Sequence, residues 1–316
     1  MVNENWLSEC FTSNEFCIVT PEIIKLKKNI VKWISDGIPG GIIYGRPRIG
    51  KTYAILYILK ELKKIYGSEL PVYILNTSNH TPKAIYFYSE LLKCVGHAEF
   101  ARGTACVLKD RLLNRLFSDA CSTRSHKIVL FIDEAYNMTE KDFSWLMDIY
   151  NNLFINDVHM YVFLVGSEEL MARKHALVLA KQHQIVGRFM VNEWCFHGIQ
   201  NEKEMTICLA NYDKPMNIGD HTIIMTKEFY PQAFADGKKL YNSAGTLMNL
   251  FRDAMNEINL PSNSEIPMMY FVNTVKHCLE DYGETGKKLY FPDEKAWKNS
   301  IDESGYILSE RLYYNV

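Results

Sequence analysis

The chain has 316 residues, 47% of them hydrophobic, and its 35 basic side chains nearly balance 37 acidic ones for a formal net charge of −2. This is enough ordinary globular sequence for one large domain and a smaller one, and it argues against a strongly basic nucleic-acid binder or a polybasic membrane surface. Eight cysteines without a C-x-x-C pair and nine histidines without metal-ligand spacing read as reduced thiols rather than a zinc site.

Residues 1–17 show no clear period and form an N-terminal segment. Thr20-Pro21-Glu22 then places a capping residue before a proline at a first helical turn, which predicts a helix to Ser35 with Ile23, Leu26, Ile30 and Ile34 on its apolar face. An adenine could pack near Ile18 to Thr20, where ordinary core burial is the plainer reading. Asp36 to Gly40 breaks the helix, and Gly41 to Tyr44 is a short apolar run of the buried-strand kind. The next eight residues, Gly45-Arg46-Pro47-Arg48-Ile49-Gly50-Lys51-Thr52, fit G-x-x-x-x-G-K-[ST], and Thr52 to Lys64 follows at helical spacing. In a strand–loop–helix context the backbone N–H groups of Gly45 to Gly50 can surround a phosphate. Lys51 would place its ammonium on the β- and γ-phosphates of ATP, and Thr52 would ligate Mg2+.

Pro71 to Asn76 reads as a second strand and Thr81-Pro82 opens a helix to Val95, so strands alternate with helices and predict a parallel sheet. A loop from His97 to Thr104 leads to a helix over Ala105 to Ser118. Arg102, Lys109, Arg111 and Arg115 make this region locally basic, a solvated helix face being its ordinary reading. Lys127 to Asp133 is a continuous apolar strand ending in Asp133-Glu134, the Walker B arrangement. Asp133 suits the magnesium shell and Glu134 suits a general base for water. A helix over Thr139 to Leu153 precedes a strand over Met160 to Val165. Ser167 at its tip is either a sensor of the γ-phosphate or a helix N-cap. Arg188 stands among apolar residues and asks for a partner, one that could come from another subunit.

Beyond Gly198 the pattern is helical over 202–212, 227–234, 246–258 and 266–282, and from Gly283 it turns polar. The domain reading is therefore an N-terminal segment 1–17, an α/β nucleotide-binding domain 18–199 with a central parallel sheet, a helical lid 200–282 and a C-terminal tail 283–316. No run approaches the roughly 18 to 20 apolar residues of a membrane span, and the N-terminus lacks a leader pattern. The expectation is a soluble, cytoplasmic protein without a membrane partner.

GRPRIGKT, the strand ending FIDEA, the strand ending VGSEE and Gly187-Arg188-Phe189 occur in the order found in AAA+ ATPases. Over roughly residues 18 to 260 the chain resembles, more narrowly, the TnsC/TniB transposition regulators, on the strength of Ile38 to Tyr44 ahead of the loop and Thr81 to Tyr86 at the next helix. The resemblance implies an AAA+ P-loop fold with a C-terminal helical lid, and ATP hydrolysis with Mg2+ in the cytoplasm of a prokaryote, on DNA. It further implies assembly into rings or filaments on duplex DNA and a link between a target selector of the TniQ type and a transposase of the TnsB type. Residue by residue it implies phosphate binding by the Gly45–Thr52 loop, magnesium and water chemistry by Asp133 and Glu134, sensing by Ser167, and an arginine finger acting between subunits at Arg188. Arg102, Thr104 and Lys141 match the places where the family meets DNA. One departure is that Ala244-Gly245-Thr246-Leu247 lacks the arginine usual near that lid glycine, and Arg252 lies further along. A helicase or initiator loader would share every nucleotide motif, and a nucleotide-dependent signalling switch would share all but the need for Glu134.

Overall fold

The computed structural model describes residues 11, 16–79, 81–219, 221–260 and 264–314. Most of the N-terminal segment 1–17 thus lies outside the described residues. The chain forms two compact units, one holding residues 25–47 and 51–196, the other the described residues up to Ile24, Arg48–Gly50 and those from His197 onward.

In the α/β unit the elements run α1 (Pro21–Ser35), β1 (Gly40–Tyr44), α2 (Lys51–Tyr66), β2 (Val72–Asn76), α3 (Ala84–Cys94), α4 (Ala105–Cys121) and β3 (Lys127–Asp133). After a 3-10 turn at Ala135–Asn137 come α5 (Glu140–Ile155), β4 (His159–Gly166), α6 (Glu169–Leu179), α7 (His183–Phe189) and β5 (Asn192–Cys195). All five strands are parallel, in the order β2-β3-β4-β1-β5. Parallel sheets carry helices on both faces, so their central strands are apolar at every position rather than at alternate ones. β3 shows this. Ile128, Leu130 and Ile132 join a core with Leu91, Leu112 and Phe143, whereas Phe131 turns the other way onto Phe163, which stacks on Trp33 of α1.

Gly40 is needed where β1 meets β4, since a Cβ there would stand 2.2 Å from the Val162 carbonyl oxygen. The edge strand β5 escapes the sequence reading because Asn192-Glu193-Trp194-Cys195 alternates in exposure and is only four residues long. Its identity as a strand comes from pairing with β1 in register Gly41↔Asn192 to Tyr44↔Cys195.

The second unit contains α8 (Glu202–Tyr212), a β6–β7 hairpin (Met216–Ile218 and His221–Ile223), α9 (Met225–Phe229), α10 (Pro231–Ala235), α11 (Ala244–Glu257), α12 (Met268–Tyr282), α13 (Glu294–Glu303) and α14 (Tyr306–Tyr314). The single helix expected over 227–234 is two, because Pro231 disfavours helical geometry at Tyr230, which sits at φ −132°, ψ 62°. The polar tail is folded as well. Asp293 caps α13 by accepting from the Ala296 N–H at 2.7 Å, and the chain beyond it buries Trp297 and Tyr306 against Tyr270 and Phe251. Among the described residues no helix is long and apolar enough to cross a membrane.

Candidate nucleotide site

Three neighbouring parallel strands end at the same edge of the sheet, and each delivers part of the site. β1 leads into Gly45, β3 ends at Asp133, and β4, lying between them, ends at Gly166 before Ser167. The carboxyl ends of parallel strands are where open α/β sheets place ligands, because the loops diverge there.

The Gly45–Thr52 loop turns through left-handed backbone at Arg48 (φ 66°) and Gly50 (φ 98°). The second value is one that glycine alone adopts without a Cβ penalty. α2 starts at Lys51 and has no acidic residue in its first turn, so the positive end of its dipole is not neutralised from within. The Lys51 ammonium folds over the loop, donating to the carbonyl oxygens of Gly45 at 2.8 Å and Arg46 at 2.9 Å. Arg48, counted with the second unit, donates to the Tyr270 hydroxyl there. Thr52 Oγ1 donates to Asp133 Oδ2 at 2.9 Å, and Asp133 Oδ1 accepts from the Glu134 N–H at 3.0 Å. The strand-tip carboxylate is 6% exposed. A hydroxyl and a carboxylate oxygen brought together in this way form a hard-oxygen pair of the kind magnesium takes.

Glu134 leaves the strand in left-handed conformation, φ 55° and ψ 34°. Its backbone is clamped by residues outside the motif. Thr77 Oγ1, just past β2, lies 2.7 Å from the Glu134 carbonyl oxygen and 3.0 Å from that of Asp133, and the Asn137 N–H donates to the Glu134 carbonyl at 2.9 Å. Asn137 Nδ2 closes the ring by donating to the Thr77 carbonyl at 3.2 Å. The Tyr136 hydroxyl is pushed up to about 12, first by its hydrogen bond to the Glu134 side chain, then by burial and by that carboxylate's charge. Thr77, Tyr136 and Asn137 are absent from the sequence reading. A polar residue past a strand tip is the signal that points to Thr77, whereas nothing local distinguishes Tyr136.

Ser167 Oγ is buried and makes no hydrogen bond with any described residue. The N-cap alternative is not realised, for α6 takes Glu168 at that position, without a side-chain cap. Arg188 stands apart on α7, where it has partners of its own chain. It donates to Asn151 Oδ1, and its guanidinium lies 4.8 Å from the Tyr150 ring centre. Arg252 lies on the half-buried side of α11, seven residues past Gly245 in sequence.

The basic region around α4 resolves into two kinds of charge. Lys109 pairs with Asp148 at 2.5 Å, Arg115 pairs with Asp119 at 2.7 Å, and Arg111 donates to the Arg102 carbonyl at 2.9 Å while pairing with Glu99 at 3.4 Å. Arg102 and Lys141 are exposed and form no ion pair with any described residue. Thr104 is the N-cap of α4, accepting from the Val107 N–H at 3.5 Å.

Residues 39–173 match the family model of an AAA domain. No curated protein sequence matches the chain. Among solved structures the chain is similar to the Aeropyrum pernix ORC1 protein in complex with DNA, at 14% identity and a TM-score of 0.45, covering 83% of this chain and 67% of that one. It is similar to Drosophila ORC bound to DNA, at 11% identity and a TM-score of 0.49, covering 95% of this chain and 65% of that one. The Pif1 helicase from Candida albicans follows at 13% identity and a TM-score of 0.35, covering 65% of this chain and 50% of that one. The chain thus spans about two thirds or less of the length of these proteins. Five parallel strands flanked by helices, with the phosphate loop after β1 and a helical C-terminal part, constitute the AAA+ P-loop fold.

Proposed function

We propose that this protein is a magnesium-dependent ATPase that assembles on duplex DNA and regulates transposition, joining a target-selecting protein to a transposase. The observation that carries the nucleotide part is the 2.9 Å bond between Thr52 and Asp133, which brings the helix start and the strand tip to one point beside Lys51. In this reading the Gly45–Gly50 backbone and Lys51 bind the phosphates, while Thr52 and Asp133 hold the metal. Magnesium bound with ATP offsets the charge of the phosphate oxygens. Glu134 takes a proton from the attacking water, and Ser167, whose hydroxyl bonds to no described residue, donates toward the phosphate.

The DNA part is supported by Arg102 and Lys141, exposed and without an ion pair among the described residues, and by the net charge of −2, which leaves local patches rather than the whole surface to meet phosphates. Transposition is supported by the motif-level resemblance to TnsC/TniB proteins at Ile38 to Tyr44 and Thr81 to Tyr86. Electron microscopy of the protein with duplex DNA and either ATP or no nucleotide tests the assembly, the expected result being rings or filaments only with ATP. Particles that ignore both DNA and nucleotide would overturn it. Recovery of a transposase and a target selector on those assemblies, against neither or against a replicative helicase, separates a transposition regulator from a helicase loader.

A further inference from the structure

Arg48, in the middle of the phosphate loop, belongs to the same compact unit as α12 and α14, and it is held there at both ends of the residue. Its backbone is left-handed (φ 66°), a conformation that is costly for any residue with a Cβ. Its carbonyl oxygen accepts from the Met269 N–H at 3.1 Å. That donor lies in the first turn of α12, where N–H groups have no partner within the helix, and Pro267 at the N-cap supplies no side-chain bond. The Arg48 guanidinium donates to the Tyr270 hydroxyl and lies 5.7 Å from the centre of that ring. The same hydroxyl donates onward to Ser309 Oγ of α14, and the Tyr270 ring, 3% exposed, packs 5.8 Å from the ring of Tyr306.

From these contacts we infer that Tyr270 is a positioning residue for the phosphate loop, holding Arg48 in the conformation that receives ATP, with Ser309 of the C-terminal helix fixing its hydroxyl. The inference rests on Gly45–Thr52 being the ATP site. Backbone N–H groups bind a phosphate while they point at it together, and a loop that visits other conformations binds more weakly in proportion to the time spent there. Arginine at φ 66° has lower-energy regions to escape to, and bonds at its carbonyl and its guanidinium oppose that escape. Tyr270 is suited to this task. Its proton is committed to Ser309, which leaves a lone pair to accept from the guanidinium, and its ring is fixed in the core.

Tyr270→Phe keeps the buried ring and removes the hydroxyl. With one charge-assisted hydrogen bond lost, the dissociation constant of ATP with magnesium should rise about tenfold in a calorimetric titration. KM should rise in step while kcat at saturating ATP stays within about twofold, because bound ATP itself keeps the loop in place. Arg48→Met keeps an alkyl stem and should weaken binding similarly. The Arg48→Met, Tyr270→Phe double variant should bind no more weakly than Arg48→Met alone, since both changes remove the same bond. Ser309→Ala leaves the ring untouched and should weaken binding about threefold, which keeps the test available if Tyr270→Phe does not fold.

Parental ATP affinity in folded Tyr270→Phe, or a loss in kcat with KM unchanged, overturns the inference. So does a double variant in which the two losses multiply, for Tyr270 would then act on something other than Arg48. Parental affinity in Ser309→Ala overturns the part given to α14. If Lys51→Ala binds ATP as the parent does, the site reading fails and this inference with it. If Lys51→Ala loses ATP while Tyr270→Phe keeps it, the positioning role alone is lost.

Discussion

Lys51→Ala removes the ammonium placed over the phosphate loop, where it now spans the Gly45 and Arg46 carbonyls at 2.8 and 2.9 Å. Two unit charges about 4 Å apart near a protein surface attract by about 4 kcal/mol, and a charge-assisted hydrogen bond adds stabilisation of about 1.5–3 kcal/mol. Against this stands the loss of the two carbonyl bonds when the ammonium turns to a phosphate, about 1 kcal/mol or more each. The net loss on substitution is about 3 kcal/mol, or roughly 150-fold in affinity. Calorimetric titration with ATP and magnesium reads this directly. Lys51→Met is the companion variant, since it keeps the alkyl stem and should weaken binding as much as alanine does. The fold should persist, because Lys51 begins a helix whose buried face is made by Ala54, Ile55, Ile58 and Leu62. A thermal midpoint near the parent's therefore accompanies the loss of binding. An ATP affinity within about threefold of the parent's in both folded variants would refute the reasoning, because the Coulomb attraction alone exceeds that difference.

Glu134→Gln should retain ATP and lose turnover by about 10²- to 10⁴-fold, measured as phosphate release under saturating ATP, and normal turnover would remove the base from this position. Arg188→Ala should bind ATP as a monomer nearly as the parent does yet lose assembly on DNA and most hydrolysis. Equimolar mixing with Lys51→Ala should restore part of the activity, while co-assembled mixtures with no recovery would leave Arg188 a structural partner of Asn151 and Tyr150. The Arg102→Ala, Lys141→Ala double variant should bind duplex DNA more weakly whatever its sequence, with a salt slope shallower by about 2, one for each phosphate that is no longer neutralised; parental affinity in fluorescence anisotropy would exclude this patch. Lys109 and Arg115 are the control, since their charges are already taken by Asp148 and Asp119, and replacing them should change DNA affinity little.

Features that depend on neighbours along the chain can be read from residue order alone. GRPRIGKT is a loop whose turns and whose lysine and threonine are contiguous, so its pattern is legible without knowing what lies across from it. The central strands are legible for a related reason, since burial on both faces makes Ile128 to Ile132 apolar at every position. The start of α1 is equally local, because proline at the first helical turn is a property of the chain there. Features that depend on residues distant in sequence emerge only in the folded chain. β5 is polar and short, and only its place beside β1 makes it a strand. Trp297 and Tyr306 read as isolated aromatics, and burial with Phe251 and Tyr270 turns the tail into core. Thr77 reaches Glu134 across 57 positions of chain, Lys109 reaches Asp148, and Arg188 finds Asn151, none of which any local pattern encodes. A hydrogen bond or ion pair needs only a few ångströms in space and no relation in sequence. For that reason the residue types of the candidate site are legible in residue order, whereas the contacts that set their orientation are not.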